Sequence, residues 1–206
     1  MTEFVLVRHG ETTWHATNRY AGRTDVPLTE HGHHQARRLG RWAATAGLTA
    51  LHTSPLTRCR DTGAPAATAT GLPPHTDDRL IEIDFGQGEG LTAADMTARF
   101  PHIRTAFEEN PVDNHFPDGE HPTDAAHRAA ACLTELATIH PDGRILVISH
   151  STLLRLLVCH LLDLPLRHYR RVFPAVGNCA LTTLRWDGSR RPAALIELNR
   201  PVEESA

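Results

Sequence analysis

Phe4-Val5-Leu6-Val7-Arg8-His9-Gly10-Glu11-Thr12 decides how this chain is read. The apolar run 4–7 predicts a buried strand. Arg8, His9 and Gly10 then set a guanidinium, an imidazole and a residue without a side chain at its carboxyl end. An uncharged imidazole is a competent nucleophile. The neighbouring Arg holds a phosphate and disfavours the imidazolium, and Gly10 lets a bound group approach the backbone. Three such residues alone equally fit a surface Arg-His pair closing a strand, so the rest of the chain has to decide.

Outward from this segment, Ser54-Pro55-Leu56-Thr57-Arg58 follows a second short apolar run. Ser54 as N-cap and Pro55 at the first helical position predict a helix start. That puts Arg58 in its first turn, where a cation faces the positive end of the helix dipole and a nearby anion would resolve the conflict. Glu82 sits in Leu80-Ile81-Glu82-Ile83-Asp84-Phe85-Gly86, with Asp84 and Glu89 close enough to take the same acidic role. A third strand, 144–149, runs directly into His150. Further strands are expected within 48–53, 75–80, 178–186 and 193–198. Helices are expected from Thr29 to about 47, from Thr92 until Pro101 halts it, from Thr123 to about 139, and over 151–162. This alternation predicts an α/β fold, a three-layer sandwich with a mostly parallel central sheet. Ligands of such sheets bind outside the carboxyl ends of the strands, where Arg8, His9 and His150 all fall.

The motifs, taken in this order from Arg8 to about Asn178, resemble the histidine phosphatase superfamily, with its phosphoglycerate mutase-like fold. The resemblance implies that His9 attacks phosphorus and becomes phosphohistidine while Arg8, Arg58 and His150 hold the phosphoryl oxygens. It implies Glu82 as the general acid for the leaving group and then the base that activates water, with no metal and no cofactor. His15, Gly22 and Ser151 complete the expected substrate-binding set. The chain departs from the family pattern at two places. His15 stands where Asn is common, so its imidazole is expected to donate the same hydrogen bond to phosphate. Asp118 and His121 replace the usual Gly and Ser in Pro117-Asp118-Gly119-Glu120-His121, which predicts a reshaped cap.

The 206 residues suit a single domain over 1–200, with a small helical and loop cap insertion at about 91–122 and a loose tail at 201–206. Net charge is −3, so no basic field draws the chain to nucleic acid or to anionic membranes. All 21 Lys and Arg positions are arginine. Cys59, Cys132, Cys159 and Cys179 form no C-x-x-C pair and read as reduced core residues of a cytoplasmic protein. Glu3 and the immediate strand predict no signal peptide, and Arg155, His160 and Asp163 interrupt the longest apolar stretch, which is too short to span a bilayer. The other histidines show no metal-ligand spacing.

The family contains phosphatases and cofactor-dependent phosphoglycerate mutases, and a mutase must hold a second phosphate. The segment 91–122 offers Arg99 and Arg104 against Asp95, Glu108, Glu109, Asp113, Asp118 and Glu120. That excess of carboxylates predicts repulsion of a second anion, hence a phosphomonoesterase for a small sugar, nucleoside-like or cofactor-precursor phosphate with a neutral remainder. Phe100, Phe107 and Phe116 fit either an apolar wall or the core of the cap. The alternatives are the mutase and, from another class, a non-catalytic module that docks phosphorylated ligands. Expected partners are a small-molecule phosphate ester, with a homodimer as the candidate assembly.

Overall fold

In the computed structural model, which describes residues 1–189 and 191–202, the opening strand spans Thr2–Arg8 (β1) and lies inside a six-stranded sheet. The other strands are Ala50–Thr53 (β2), Pro74–Thr76 (β3), Arg144–Ser149 (β4), Leu181–Trp186 (β5) and Ala194–Arg200 (β6). Their order is β3-β2-β4-β1-β5-β6. The four strands from β3 to β1 are parallel, whereas β5 and β6 add an antiparallel edge, so the sheet is mixed. In the β1–β4 ladder Phe4 faces Ile145 and Arg8 faces Ser149. This register delivers the two residues that follow, His9 and His150, side by side, with ring centroids 5.2 Å apart.

Both sheet faces are covered, which is why β1 and β4 read as continuous apolar runs rather than alternating ones. Helices Glu30–Ala43 (α1) and Thr57–Thr70 (α2) lie on one side, where Val5, Val7, Leu39, Leu51 and Ile148 share a core. Two further helices fill the other side, where Phe4, Leu6, Leu133, Val147 and Leu157 meet. These are Pro122–Ile139 and Ser151–Leu161, numbered α5 and α6 because Ala93–Arg99 (α3) and Pro101–Glu109 (α4) precede them. The pair α3 and α4 has a small core of its own, Met96, Phe107 and Phe116. A single turn, Tyr169–Val172 (α7), follows α6.

Several element ends differ from the sequence expectation for local reasons. Helix α2 starts at Thr57 rather than beside Ser54, because the Asp25 carboxylate accepts from the Thr57 N–H (2.9 Å) and hydroxyl (2.6 Å). This cap arrives from a distant loop and supplies negative charge where Arg58 sits at the wrong end of the dipole. Strand β3 stops at Thr76, since the Asp77 side chain accepts from the Arg79 N–H and turns the chain into a 3₁₀ segment. Pro101 halts α3 and also opens α4, as its ring suits a first helical turn. Helix α5 has Pro122 in its first turn with His121, not Thr123, as its cap. Cys179, left-handed at φ 55°, delays β5 to Leu181. In the tail expected at 201–206, residues 203–206 lie outside the described ones.

Candidate active site

A cavity of about 320 Å³ opens between the carboxyl ends of β1 and β4 and the α3–α4 cap. Arg8, His9, His15, Glu82, Ser151 and Thr152 are among the residues that line it. His9 is 6% exposed, and its Nδ1 lies 2.7 Å from the Gly10 carbonyl oxygen. Only a protonated Nδ1 can make that bond, which leaves Nε2 as the lone-pair nitrogen. Burial, then the charges of Arg8 and Arg58, hold the imidazole well below its ordinary pKa, so the ring is neutral. Its backbone is pinned as well: the His9 N–H donates to the Ser149 carbonyl (3.0 Å), and the Asn178 amide donates to the His9 carbonyl (2.7 Å).

Gly10 has a different reason from the one the sequence suggested. A Cβ there would stand 2.7 Å from the Gly32 carbonyl oxygen. The glycine is required by the close approach of the β1 end to the first turn of α1, not by access of a ligand to the backbone.

Glu82 is 3% exposed, and its carboxylate accepts from the N–H groups of Ile83 (3.0 Å), Thr152 (3.0 Å) and Leu153 (2.8 Å). Burial pushes its carboxyl up from the ordinary value, against the pull of those three donors. The group therefore holds a proton to higher pH than an ordinary carboxyl while staying fixed in orientation by α6. The alternative acids are employed elsewhere. Asp84 accepts from the Gly86 N–H and pairs with Arg23 at 3.3 Å. Glu89 accepts from the N–H groups of Gly22 and Thr24. Neither lines the cavity.

The remaining expected site residues divide into two tiers. Arg8 donates to the Val176 carbonyl (2.9 Å) and to His15 Nε2 (2.7 Å), its Nε has no partner, and burial brings its pKa down to about 10. Ser151 lines the cavity at the start of α6. His15 lines it too, with its Nε2 beside the Arg8 guanidinium and 3.4 Å from the Asn178 amide nitrogen. Its Nδ1 accepts from the Thr12 backbone N–H (3.0 Å) and lies 2.9 Å from the Thr12 hydroxyl. The ring stands at the cavity edge directly against the Arg8 guanidinium.

Arg58 and His150 form the lower tier, both 0% exposed and absent from the cavity lining. Arg58 Nε donates to His150 Nδ1 (3.1 Å), and its amino groups donate to the carbonyls of Thr24 (2.8 Å) and Gly22 (2.7 Å). His150 Nε2 donates in turn to the Ser54 hydroxyl at 2.8 Å. Gly22 also lies outside the cavity lining, its carbonyl held by Arg58 and its N–H by Glu89. It ties the 20–25 loop to the site rather than facing a ligand.

The far wall departs from the charge balance read in the segment 91–122. Of that segment's charged residues only Arg104 lines the cavity; its carboxylates turn away. Glu120 pairs with Arg128, and Asp118, left-handed at φ 61°, accepts from Gln87. Arg155 from α6, Arg170 from α7 and Arg19 join Arg104, so that five arginines, counting Arg8, face a single carboxylate, Glu82. Phe107 and Phe116 pack against each other in the cap core at 4.8 Å, so the aromatic wall reading gives way to the core reading. Phe85 is the aromatic that lines the cavity beside Tyr20. The sequence reading missed Asn178, Tyr20, Arg155 and Arg170 as site residues. Arg155 was legible in principle, four residues after Ser151 and so on the same helix face.

A family model described as the histidine phosphatase superfamily (branch 1) matches residues 4–199. The probable phosphoglycerate mutase GpmB of Citrobacter koseri is 34% identical over 92% of this chain and 87% of its own length. Among solved structures, a mycobacterial glucosyl-3-phosphoglycerate phosphatase complexed with VO3 superposes with a TM-score of 0.88 at 28% identity, covering 96% of this chain and 99% of that one. Bacillus stearothermophilus YhfR gives 0.90 at 28% identity, covering 98% and 100%. The chain belongs to the histidine phosphatase superfamily.

Proposed function

We propose that this member of the superfamily is a phosphomonoesterase that hydrolyses a small phosphorylated metabolite through a phosphohistidine on His9. The observation that carries the reading is the pairing, on one cavity floor, of a neutral imidazole with its lone pair at Nε2 and a buried carboxyl whose pKa burial raises. Arg8 binds phosphoryl oxygens and aligns the ester. The His9 Nε2 lone pair forms the N–P bond as the P–O bond to the alkyl group breaks, and the Glu82 proton passes to the departing oxygen. Water then attacks the phosphohistidine, Glu82 takes its proton, the N–P bond breaks, and inorganic phosphate leaves with His9 and Glu82 restored. Arg58 and His150 serve from beneath as positioning residues. Arg58 contributes positive charge that favours the dispersed negative charge of the transition state and keeps His9 neutral.

The mutase is the second reading, favoured by the name of the GpmB relatives and by the cationic wall. One experiment separates the two. Inorganic phosphate release is measured across a panel of phosphorylated metabolites, beside interconversion of 3- and 2-phosphoglycerate primed with 2,3-bisphosphoglycerate. Release from the best monoester far faster than interconversion is expected, and efficient interconversion with little release would make the chain a mutase. Among the described residues no helix is long and apolar enough to cross a membrane. All four cysteines are unpaired and buried, which supports placing this activity in the reducing cytoplasm.

A further inference from the structure

His15 stands at the edge of the cavity with hydrogen-bond donors at both of its ring nitrogens. The Thr12 N–H points at Nδ1 (3.0 Å), while the Arg8 guanidinium lies 2.7 Å and the Asn178 amide nitrogen 3.4 Å from Nε2. The bond from the Asn178 amide to the His9 carbonyl (2.7 Å) fixes which end of that side chain is nitrogen, so it cannot accept from the ring through that atom. A neutral imidazole keeps one hydrogen. On Nε2 this hydrogen meets Arg8, donor against donor. On Nδ1 it reaches the Thr12 hydroxyl at 2.9 Å but turns away the Thr12 N–H. An acceptor beside Nε2, shared with Arg8, removes the conflict, and an anionic oxygen does so best.

The charges around the ring point the same way. Arg8 and His9 face it from the end of β1, Glu11 from the loop that follows and Arg58 from α2, beside the uncharged Thr12 and Asn178. Burial, then the charge of Arg8, lowers the His15 pKa, and Glu11 opposes both. An anion held by Arg8 offsets that repulsion and adds an attraction of its own. The imidazolium then has an acceptor at each end, the anion at Nε2 and the Thr12 hydroxyl at Nδ1.

We infer that His15 takes up a proton from solvent as a dianionic phosphoryl group binds against Arg8, so that capture of the substrate is proton-linked in this chain. This rests on reading the floor as a phosphomonoesterase site and deepens it. The anion-bound ring holds its proton to higher pH than the free one, so affinity is greatest in mildly acidic solution and is lost as pH rises through the bound value. Asparagine, common at this place in the family, does not titrate and gives no such dependence.

Sulfate tests it, since it remains a dianion across the range in which phosphate itself titrates. Calorimetry of sulfate binding to the wild type, in two buffers of different ionisation enthalpy, counts the protons taken up. The Kd is expected to rise about fivefold or more from pH 6 to pH 8, with proton uptake on binding, and the His15 ring resonance in NMR to titrate at higher pH with sulfate present than without. His15→Asn should bind sulfate with a flat pH dependence and no proton uptake, and His15→Gln should do the same where the Asn variant fails to fold. A flat sulfate Kd in the wild type, or a His15 titration that sulfate does not move, would overturn the inference. So would equal proton uptake in His15→Asn, which would put the proton on His9 or His150. If monoesters are hydrolysed while sulfate neither binds nor shows the linkage, the phosphomonoesterase reading stands and the inference fails. Proton-linked sulfate binding that His15→Asn abolishes, with no phosphate release by the wild type from any monoester, gives the reverse.

Discussion

His9 and Glu82 on the cavity floor, with His150 beneath them, are fixed by backbone groups and side chains from β1, β4, α2 and α6, and burial and the neighbouring arginines hold both imidazoles uncharged. The wall opposite, drawn from α4, α6, α7 and the loop before Gly22, carries four guanidiniums tied mainly to carbonyls and to the Tyr20 hydroxyl. A rigid floor suits bond breaking, since an uncharged nucleophile and a proton-donating acid must both be held in one orientation. A cationic wall suits capture, because its positive field draws an anionic ester into the cavity.

The largest expected effect belongs to the floor. Glu82→Gln keeps a carbonyl oxygen for the α6 N–H groups but cannot supply a proton. Hydrolysis of an alkyl phosphate should fall by roughly 10²–10⁴-fold, within the range for general acid catalysis, and p-nitrophenyl phosphate, whose leaving group needs little protonation, should lose less. Because burial raises the Glu82 pKa, wild-type kcat on alkyl phosphates should decline as pH rises through that raised value. Steady-state kinetics on both esters across pH checks this. An equal loss on both would make Glu82 a binding group.

Packing separates the regions next. Gly10→Ala places a methyl against the Gly32 carbonyl and should cost about 1–3 kcal/mol, typical of overpacking. Arg19→Ala, at an exposed edge of the wall, should change stability by less than about 0.5 kcal/mol. Urea unfolding of the two variants measures both, and similar small changes would mean that the floor is not tightly built.

The acid limb of stability gives a further check. His9 and His150 are held well below the ordinary pKa by burial and neighbouring arginines, and His52 is brought down to about 4 by burial, His75 and His140. Their folded pKa values lie below the unfolded one, so the unfolded chain binds protons that the folded chain refuses. Stability is full above about pH 6.5 and falls as pH drops below it, by up to about 1.4 kcal/mol per pH unit for each group. The urea midpoint should be lower at pH 5 than at pH 7, and the His9 ring should show no NMR titration between them. A His9 titration near pH 6.5 would contradict the neutral floor.

The same contrast governs what the sequence made legible. Strands β1 and β4, their shared end and the pair His9 and Glu82 were readable because each is local: an apolar run, a chemical residue at its end, a carboxyl in a turn. Alternation of strands and helices gave the layered α/β architecture, though not the antiparallel edge, because the direction of β5 depends on the long path after α6. The wall was misread for a related reason. Counting charges over 91–122 assumed that the whole segment faces the substrate, whereas α3 and α4 bury Met96, Phe107 and Phe116 in their own core and leave their carboxylates outside. Arg155 and Arg170 come from segments that no local count would join to the cap. The start of α2 was misplaced because its cap, Asp25, lies thirty-two positions upstream of Thr57.

The central claim, that His9 Nε2 takes the phosphoryl group, is tested most directly by trapping it. The wild-type chain is mixed with a ³²P-labelled phosphomonoester, quenched within milliseconds in base, and mapped by peptide mass spectrometry. An acid-labile, base-stable adduct on the peptide that contains His9 is expected, and His9→Ala should yield none. An adduct of normal amount in His9→Ala, or one located on His150 or His15, would contradict the account.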